Sequence, residues 1–272
     1  MQAYLPSILA VVAVAGTANG AVADEDIPAP PLRVTLVHEV GPAYIAQNDG
    51  AYGADGTRFG AGDVGQQDNL LVARRTSVEI ERRRHRLILL DAPFVATTEV
   101  VLASDLQFRD TRFVAGTVVQ HRYQFDGLRG SYLYRLLDRA PVTLEIGGSL
   151  QIRNAEVAFR SFDGMQRAAE NDIGVVVAAK ARLWYRPSSK GVWAALDADG
   201  FSTFGLVPGV RGAIYDTQLM VGHPVARGVD LLLGARLVGG GAEVESRDLE
   251  NWANFVSLTA GARVTLDRLI GR

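Results

Sequence analysis

From residue 32 onward hydrophobic side chains return at every second position, and this period of two, renewed about ten times, limits the chain more than any other feature. The last stretch shows it best. Val256, Leu258, Ala260, Ala262, Val264 and Leu266 share one face, while Ser257, Thr259, Gly261, Arg263 and Thr265 share the other. Successive side chains of a strand point to opposite sides of its sheet, so this pattern is a strand with one oily and one polar face. The contrast recurs over 173–185, 142–153, 192–199 and 213–222. Charged residues keep to the minor face, as Lys180 and Arg182, Glu145 and Arg153, Asp197 and Asp199, and Asp216 show. No stretch after residue 23 sustains a helical period.

The alternation predicts ten strands, at 32–45, 71–83, 86–102, 117–137, 141–158, 172–186, 191–200, 209–223, 228–240 and 252–267. In the fourth, Val119, Tyr123 and Phe125 fall on the opposite parity from Leu128, Tyr132 and Tyr134. A bulge near Asp126-Gly127 would keep all six on one side. The links also alternate: Arg84-His85, Asp138-Arg139-Ala140, 186–191 and 224–228 are tight turns, while 47–70, 104–116, 161–171, 200–208 and 241–251 are longer and rich in Gly, Asp, Asn and Arg. An even number of strands with short and long links at opposite ends is the layout of an antiparallel up-and-down transmembrane β-barrel, with both termini at the short-turn end.

A soluble closed barrel would show the same alternation with its oily face inward, and a lipocalin-like periplasmic carrier is that alternative. Strands of about a dozen residues exceed the five or six usual in soluble sheets. Tyr132, Tyr134 and Tyr185 stand near the ends of apolar faces, as aromatic girdles do. The first 23 residues carry no charged side chain, hold an apolar stretch over 5–15 and end in Ala21-Val22-Ala23, a small-x-small cleavage pattern. They read as a signal peptide, too short in their apolar part to span a bilayer as a helix. Residues 24–31, with Pro28, Pro30 and Pro31, read as an extended Pro-rich spacer, leaving 32–272 for the barrel. The expected location is the bacterial outer membrane, with short turns and both termini periplasmic.

Two resemblances add to this. The run Thr259-Ala260-Gly261-Ala262-Arg263-Val264-Thr265-Leu266 resembles the C-terminal insertion signal of outer-membrane barrels, which implies recognition by the barrel-assembly machinery; it continues through Asp267 to Arg272 where that signal ends on an aromatic residue. The segments 196–200 (Leu-Asp-Ala-Asp-Gly), 234–243 and Trp252-Ala253-Asn254-Phe255 are similar to a widespread group of Gram-negative outer-membrane barrel proteins of unassigned activity. That resemblance covers most of the mature chain and implies a fold without a reaction.

Chemistry is sparse. With zero Cys there is no disulfide framework, thiolate metal site or cysteine nucleophile. Outer-membrane lipid hydrolases place a Ser within reach of a His, commonly as His-x-Ser, and none of His38, His85, His121 and His223 has Ser two positions on. His38 reads as lipid-facing, while His85 and His223 sit at turns. Only His121, near Arg122, Gln124 and Asp126, has polar company. Asp197 and Asp199 share one face and form a second catalytic candidate, or a cation site with Asp216. The stronger reading is structural. Inward carboxylates in a narrow barrel pair with inward cations, since a buried uncompensated charge is costly. The expected lumen charge network is Arg122, Arg129, Arg135, Glu145, Arg153, Lys180, Arg182, Asp197, Asp199, Asp216, Arg236 and Arg263. No metal and no cofactor is expected.

Of 28 basic residues all but Lys180 and Lys190 are Arg, whose forks suit lipopolysaccharide phosphates. The near balance of 28 basic against 30 acidic residues gives no reason to expect nucleic acid. The cluster Arg82-Arg83-Arg84-His85-Arg86 reads as a solvated periplasmic turn near anionic headgroups. The expected partners are outer-membrane lipids and lipopolysaccharide. The expected role is structural or interaction-based, or a narrow porin-like passage for small polar solutes. The alternatives are a hydrolase acting on lipid A or peptides at the outer rim and the soluble carrier.

Overall fold

The computed structural model describes residues 32–188 and 190–266; the signal-peptide and spacer readings, and the chain after residue 266, lie outside the described residues. Thirteen strands follow in order: β1 (Arg33–Tyr52), β2 (Leu71–Arg82), β3 (His85–Asp91), β4 (Phe94–Val101), β5 (Leu106–Phe108), β6 (Thr111–Phe113) and β7 (Val118–Arg139), then β8 (Val142–Ser161), β9 (Arg167–Tyr185), β10 (Trp193–Ser202), β11 (Val210–Ala226), β12 (Val229–Val244) and β13 (Leu249–Thr265). β5 and β6 form a separate small hairpin. β3 and β4 pair with successive parts of β7 and are two halves of one stave. The break falls at Ala92-Pro93, where Pro93 has no N–H to give a ladder. The barrel thus has the ten staves the alternation predicts.

All neighbours are antiparallel, and β3 bonds to both β2 and β7, so the sheet closes. Following paired residues from Ile45 through Phe255, Val238, Asp216, Asp199, Lys180, Gly147, Leu133, Arg86 and Glu81 returns to β1 at Arg33, a stagger of twelve residues. Such a stagger tilts the strands to roughly 40° and leaves an interior that side chains can fill. The outer surface settles which way the oily faces point: Leu258 is 61% exposed, Val175 65% and Ile146 42%, whereas Arg182 is 3% and Arg263 9% exposed. This is an inside-out barrel, the membrane-spanning arrangement; the soluble-barrel alternative requires the reverse.

The strands run further than expected at the end carrying the long loops, β1 to Tyr52 instead of 45 and β9 from Arg167 instead of 172. There the interior changes character. The predicted bulge at Asp126-Gly127 is absent: β7 and β8 keep continuous register from Val119 to Arg135. Val119 and Tyr123 therefore face inward and are buried, while Leu128, Tyr132 and Tyr134 face outward and are exposed. The parity switch that suggested a bulge records a core that turns oily on the inside. Its filling comes from the loops. Phe59, Phe108 and Phe113 pack with Ile45 and Phe159 in one buried cluster at this end.

Folded-in chain also repairs one seam. β2 ends against β1 at Leu71 opposite Ala43, so the rest of β1 has no β2 partner. Residues 53–70 take that place: Gly50 and Phe59 exchange two backbone bonds of 2.9 Å, Asn48 Nδ2 donates to Gln66 Oε1 at 2.9 Å, and Thr98 Oγ1 donates to the Val64 carbonyl at 2.6 Å.

Candidate functional site

At the short-turn end and mid-barrel, polar parity positions of nine staves converge on one ion-pair layer. Lys180 bonds Asp197 and lies 2.6 Å from Asp199 Oδ2; Arg182 bonds Asp197 and reaches Glu79 Oε1 at 2.7 Å. Arg129 Nη1 sits between Asp216 Oδ2 (2.7 Å) and Asp199 Oδ2 (3.2 Å), and Arg236 grips Asp216 from the other side at 2.7 Å. Arg86 reaches Glu79 and Glu81, each at 2.8 Å, and Glu145 at 3.1 Å. Arg135 joins Glu81 and Glu145, and Arg263 lies 3.7 Å from both Glu79 and Asp230.

This connected set holds seven inner cations (Arg86, Arg129, Arg135, Lys180, Arg182, Arg236, Arg263) and seven inner carboxylates (Glu79, Glu81, Glu145, Asp197, Asp199, Asp216, Asp230), and at its short-turn edge Arg33 on Glu81 and Asp138 on Arg135 make it eight of each. Burying an ion costs several kcal/mol unless partners surround it, and charge balance with multiple bonds per group meets that cost. Arg serves at most of these positions because its planar fork can bind two carboxylates at once. The layer crosses the lumen with side chains that hold one another, most of them buried.

Ten of the twelve residues expected in the lumen lie in this layer. Arg153 faces inward but belongs to a second cluster near the long-loop end, bonded to Asp172. Arg122 is a correction: it alternates with buried His121 and Tyr123 on β7, so it lies on the outer face, where its Nη2 donates to Gln124 Oε1 at 2.6 Å. Arg86 is another, since it heads into the lumen and only Arg83 and Arg84 form the turn. Glu79, Glu81 and Asp230 were missed. The signal was present for the first two, which alternate with Val78 and Ile80.

The catalytic candidates land in inert surroundings. Asp197 and Asp199 are committed to Lys180, Arg182 and Arg129. His121 is fully buried, its ring centroid 4.7 Å from that of Phe159 and 6.0 Å from that of Phe59, and neither ring nitrogen has a hydrogen-bond partner. The polar company expected for it lies on the opposite face of β7. His38 and His85 face outward, bonded to Thr76 Oγ1 (2.9 Å) and the Tyr132 hydroxyl (2.7 Å). Among the described residues no group of three or more His, Asp or Glu side chains is placed to hold a metal ion.

Above the ion-pair layer lies a cavity of about 510 Å³, walled mainly by apolar side chains and by Gly239, Gly240 and Gly241, with Arg153, Glu156, Glu170, Asp172 and Arg247 as its charged lining. Glu170 binds Arg109 Nε at 3.0 Å and Arg247 Nη2 at 2.5 Å, and Asp172 lies 3.7 Å from Arg247 Nη1.

No family model matches the chain, and no curated protein matches its sequence. Solved structures similar to it include the attachment invasion locus protein Ail of Yersinia pestis in complex with the heparin analogue sucrose octasulfate, 13% identical with a TM-score of 0.39 over 85% of this chain and 98% of that one. Others are a FadL homologue of Pseudomonas aeruginosa (8%, 0.36, 86% and 89%) and the toluene transporter TodX of P. putida (8%, 0.33, 85% and 90%). The likeness is loose. Strand number, closure and orientation of the oily face stand on the barrel's own hydrogen bonds and exposure.

Proposed function

We propose that this chain is an outer-membrane β-barrel with a sealed lumen and a structural or interaction role, not a passage for polar solutes. The observation that carries this reading is the balanced ion-pair layer spanning the interior. Closure pairs neighbouring staves around the barrel, with only the β9 edge of residues 167–178 lacking a strand partner among the described residues, and the apolar belt outside suits a bilayer. The short turns and both termini then face the periplasm and the long loops face out. Outer-leaflet lipids, lipopolysaccharide included, contact the belt and the Arg-bearing rim above it, where Arg122 and Arg160 stand on the outer face. Insertion through Thr259 to Leu266 by the barrel-assembly machinery belongs to the same reading.

Reconstitution into planar bilayers tests it. The expected trace matches a detergent blank, and discrete conductance steps from the wild-type protein overturn the sealed lumen. Cell fractionation tests location: the expected result is a heat-modifiable band in the outer-membrane pellet, and release by carbonate extraction refutes it. Hydrolase chemistry finds no support in a buried, unpartnered His121 or in carboxylates held by cations.

A further inference from the structure

At the short-turn end the ion-pair layer borders a second cavity, of about 490 Å³. Inward side chains of the staves, among them Arg86, Trp184, Trp193 and Arg263, make its inner wall. The β9–β10 and β11–β12 turns make its mouth and bring Arg186, Lys190 and Arg227 to it. Backbone bonds fix both turns: the Arg186 N–H donates to the Pro141 carbonyl at 2.7 Å, and the Thr265 N–H donates to the Gly228 carbonyl at 2.7 Å. The Trp184 and Trp193 rings pack with centroids 5.0 Å apart, and cations lie over them. Arg186 stands 5.6 Å and 5.9 Å from the two rings, and Arg263 stands 5.3 Å from that of Trp184. Such contacts hold a guanidinium in place without using its hydrogen bonds.

Charge is uneven here. The connected ion-pair set is balanced, and its count already includes both carboxylates on the cavity wall, Glu81 and Asp230. Lys190 and Arg227 also line the cavity, stand outside that set and make no ion pair among the described residues. They add two positive charges to an even balance. Arg263 points the same way. It is only 9% exposed, yet its guanidinium makes no hydrogen bond among the described residues: the Glu79 and Asp230 oxygens stand 3.7 Å away, and Nε has no partner. Buried donors of a cation left unbonded are costly, so a ligand that takes them gains free energy.

We propose that this cavity binds the phosphate group of a small soluble solute that enters along the barrel axis from the short-turn end, with Lys190, Arg227 and Arg263 as its donors. A phosphate monoester carries about −1.5 to −2 charges at neutral pH, which matches the two surplus cations; a carboxylate or a sulfate ester carries only one. Lys and Arg both hold phosphate oxygens by charge-assisted bonds. Arg263 stands inside the wall, away from the surrounding leaflet, so the ligand is a solute and not a lipid headgroup. The volume falls within the roughly 300–1,000 Å³ of small-ligand pockets and leaves room for an organic remainder beside Val225 and the two indoles. The site goes beyond the sealed-barrel reading and does not need it: conductance overturns the seal and leaves this site standing.

The test uses the full barrel folded in dodecyl maltoside, titrated with phenyl phosphate in a calorimeter. The expected result is one phenyl phosphate per barrel, bound about tenfold or more tightly than phenyl sulfate or benzoate, with an affinity that falls as salt rises. Lys190→Gln with Arg227→Gln, and separately Arg263→Gln, are each expected to lower that affinity by about tenfold or more. Arg211→Gln, exposed at the opposite end, leaves it unchanged. Each variant is scored only after it shows heat-modifiable mobility, and the turn substitutions break no ion pair, which guards against a folding failure of Arg263→Gln. Equal affinity in wild type and the turn variant, or for phenyl phosphate and phenyl sulfate, overturns the site. Loss of phenyl phosphate binding in nanodiscs that contain phosphatidylglycerol assigns the donors to a headgroup and overturns the soluble ligand. Binding that appears only after Asp24→Asn, Glu25→Gln and Asp26→Asn assigns the cavity to the chain's own acidic residues and also overturns it.

Discussion

Leu219 lies midway along β11 on the outer face, exposed, with Leu196 and Ala235 as its cross-strand neighbours. Val221 and His223 follow on the same face toward the short-turn end. If that face meets acyl chains, an Arg there must leave water or thin the bilayer, and its cost depends on depth. Leu219→Arg is expected to destabilise by ~2–4 kcal/mol, Val221→Arg by less, and His223→Arg by about 0–1 kcal/mol, the dependence for Arg between midplane and interface. At about 1.4 kcal/mol per factor of ten, the Leu219 variant loses roughly 30- to 1,000-fold in its folding equilibrium. If the same face met water, replacing an exposed Leu would shift stability by only about ±0.5 kcal/mol at any depth. The assay is reversible urea unfolding in lipid vesicles, read by the fluorescence of the three Trp. Three variants within about 0.5 kcal/mol of wild type, or costs without order along β11, would refute an oily face turned to lipid.

Removing one partner from the ion-pair layer exposes its desolvation cost: Arg182→Met leaves Asp197 and Glu79 short of a cation and is expected to destabilise by about 3–5 kcal/mol in the same unfolding assay, with a loss below about 1 kcal/mol counting against a tightly held layer. His121→Leu removes two buried ring nitrogens without partners and is expected to stabilise by about 1–3 kcal/mol; a loss of stability would reveal a bond to the imidazole that the packing does not contain. A chain with zero Cys accepts single labels: Gln124→Cys, above the belt on the outer face of β7, is expected to react with a membrane-impermeant maleimide on intact cells, and Leu150→Cys, within the belt, is not. Reversed labelling would invert the assigned orientation or depth.

Much of the barrel is legible residue by residue. The alternation of Val256 to Leu266 against Ser257 to Thr265 needs only the pleat of a strand, and it gave ten staves and the minor faces that carry charge. Lys180, Arg182, Asp197, Asp199 and Asp216 were found this way. Arg122 failed because parity was read through a supposed bulge; keeping β7 in register assigns it to the outside at once. Arg86 failed because it was read with the basic run of the turn, although the third strand was placed from residue 86 onward.

A period of two states that two faces differ, and this the sequence determines alone: strands, their number and the grouping of ions on one side. It does not state which face is inside, since the same pattern serves a soluble core and a lipid belt. Only closure decides that, through contacts between residues far apart in the chain. Arg182 meets Glu79 across 103 positions and Arg129 meets Asp216 across 87. The reversal of the interior from ionic to oily at the long-loop end, and the unpaired edge of β9, follow from where neighbouring strands stop and which loops fold inward. Those are properties of pairing between segments, and no single segment carries them.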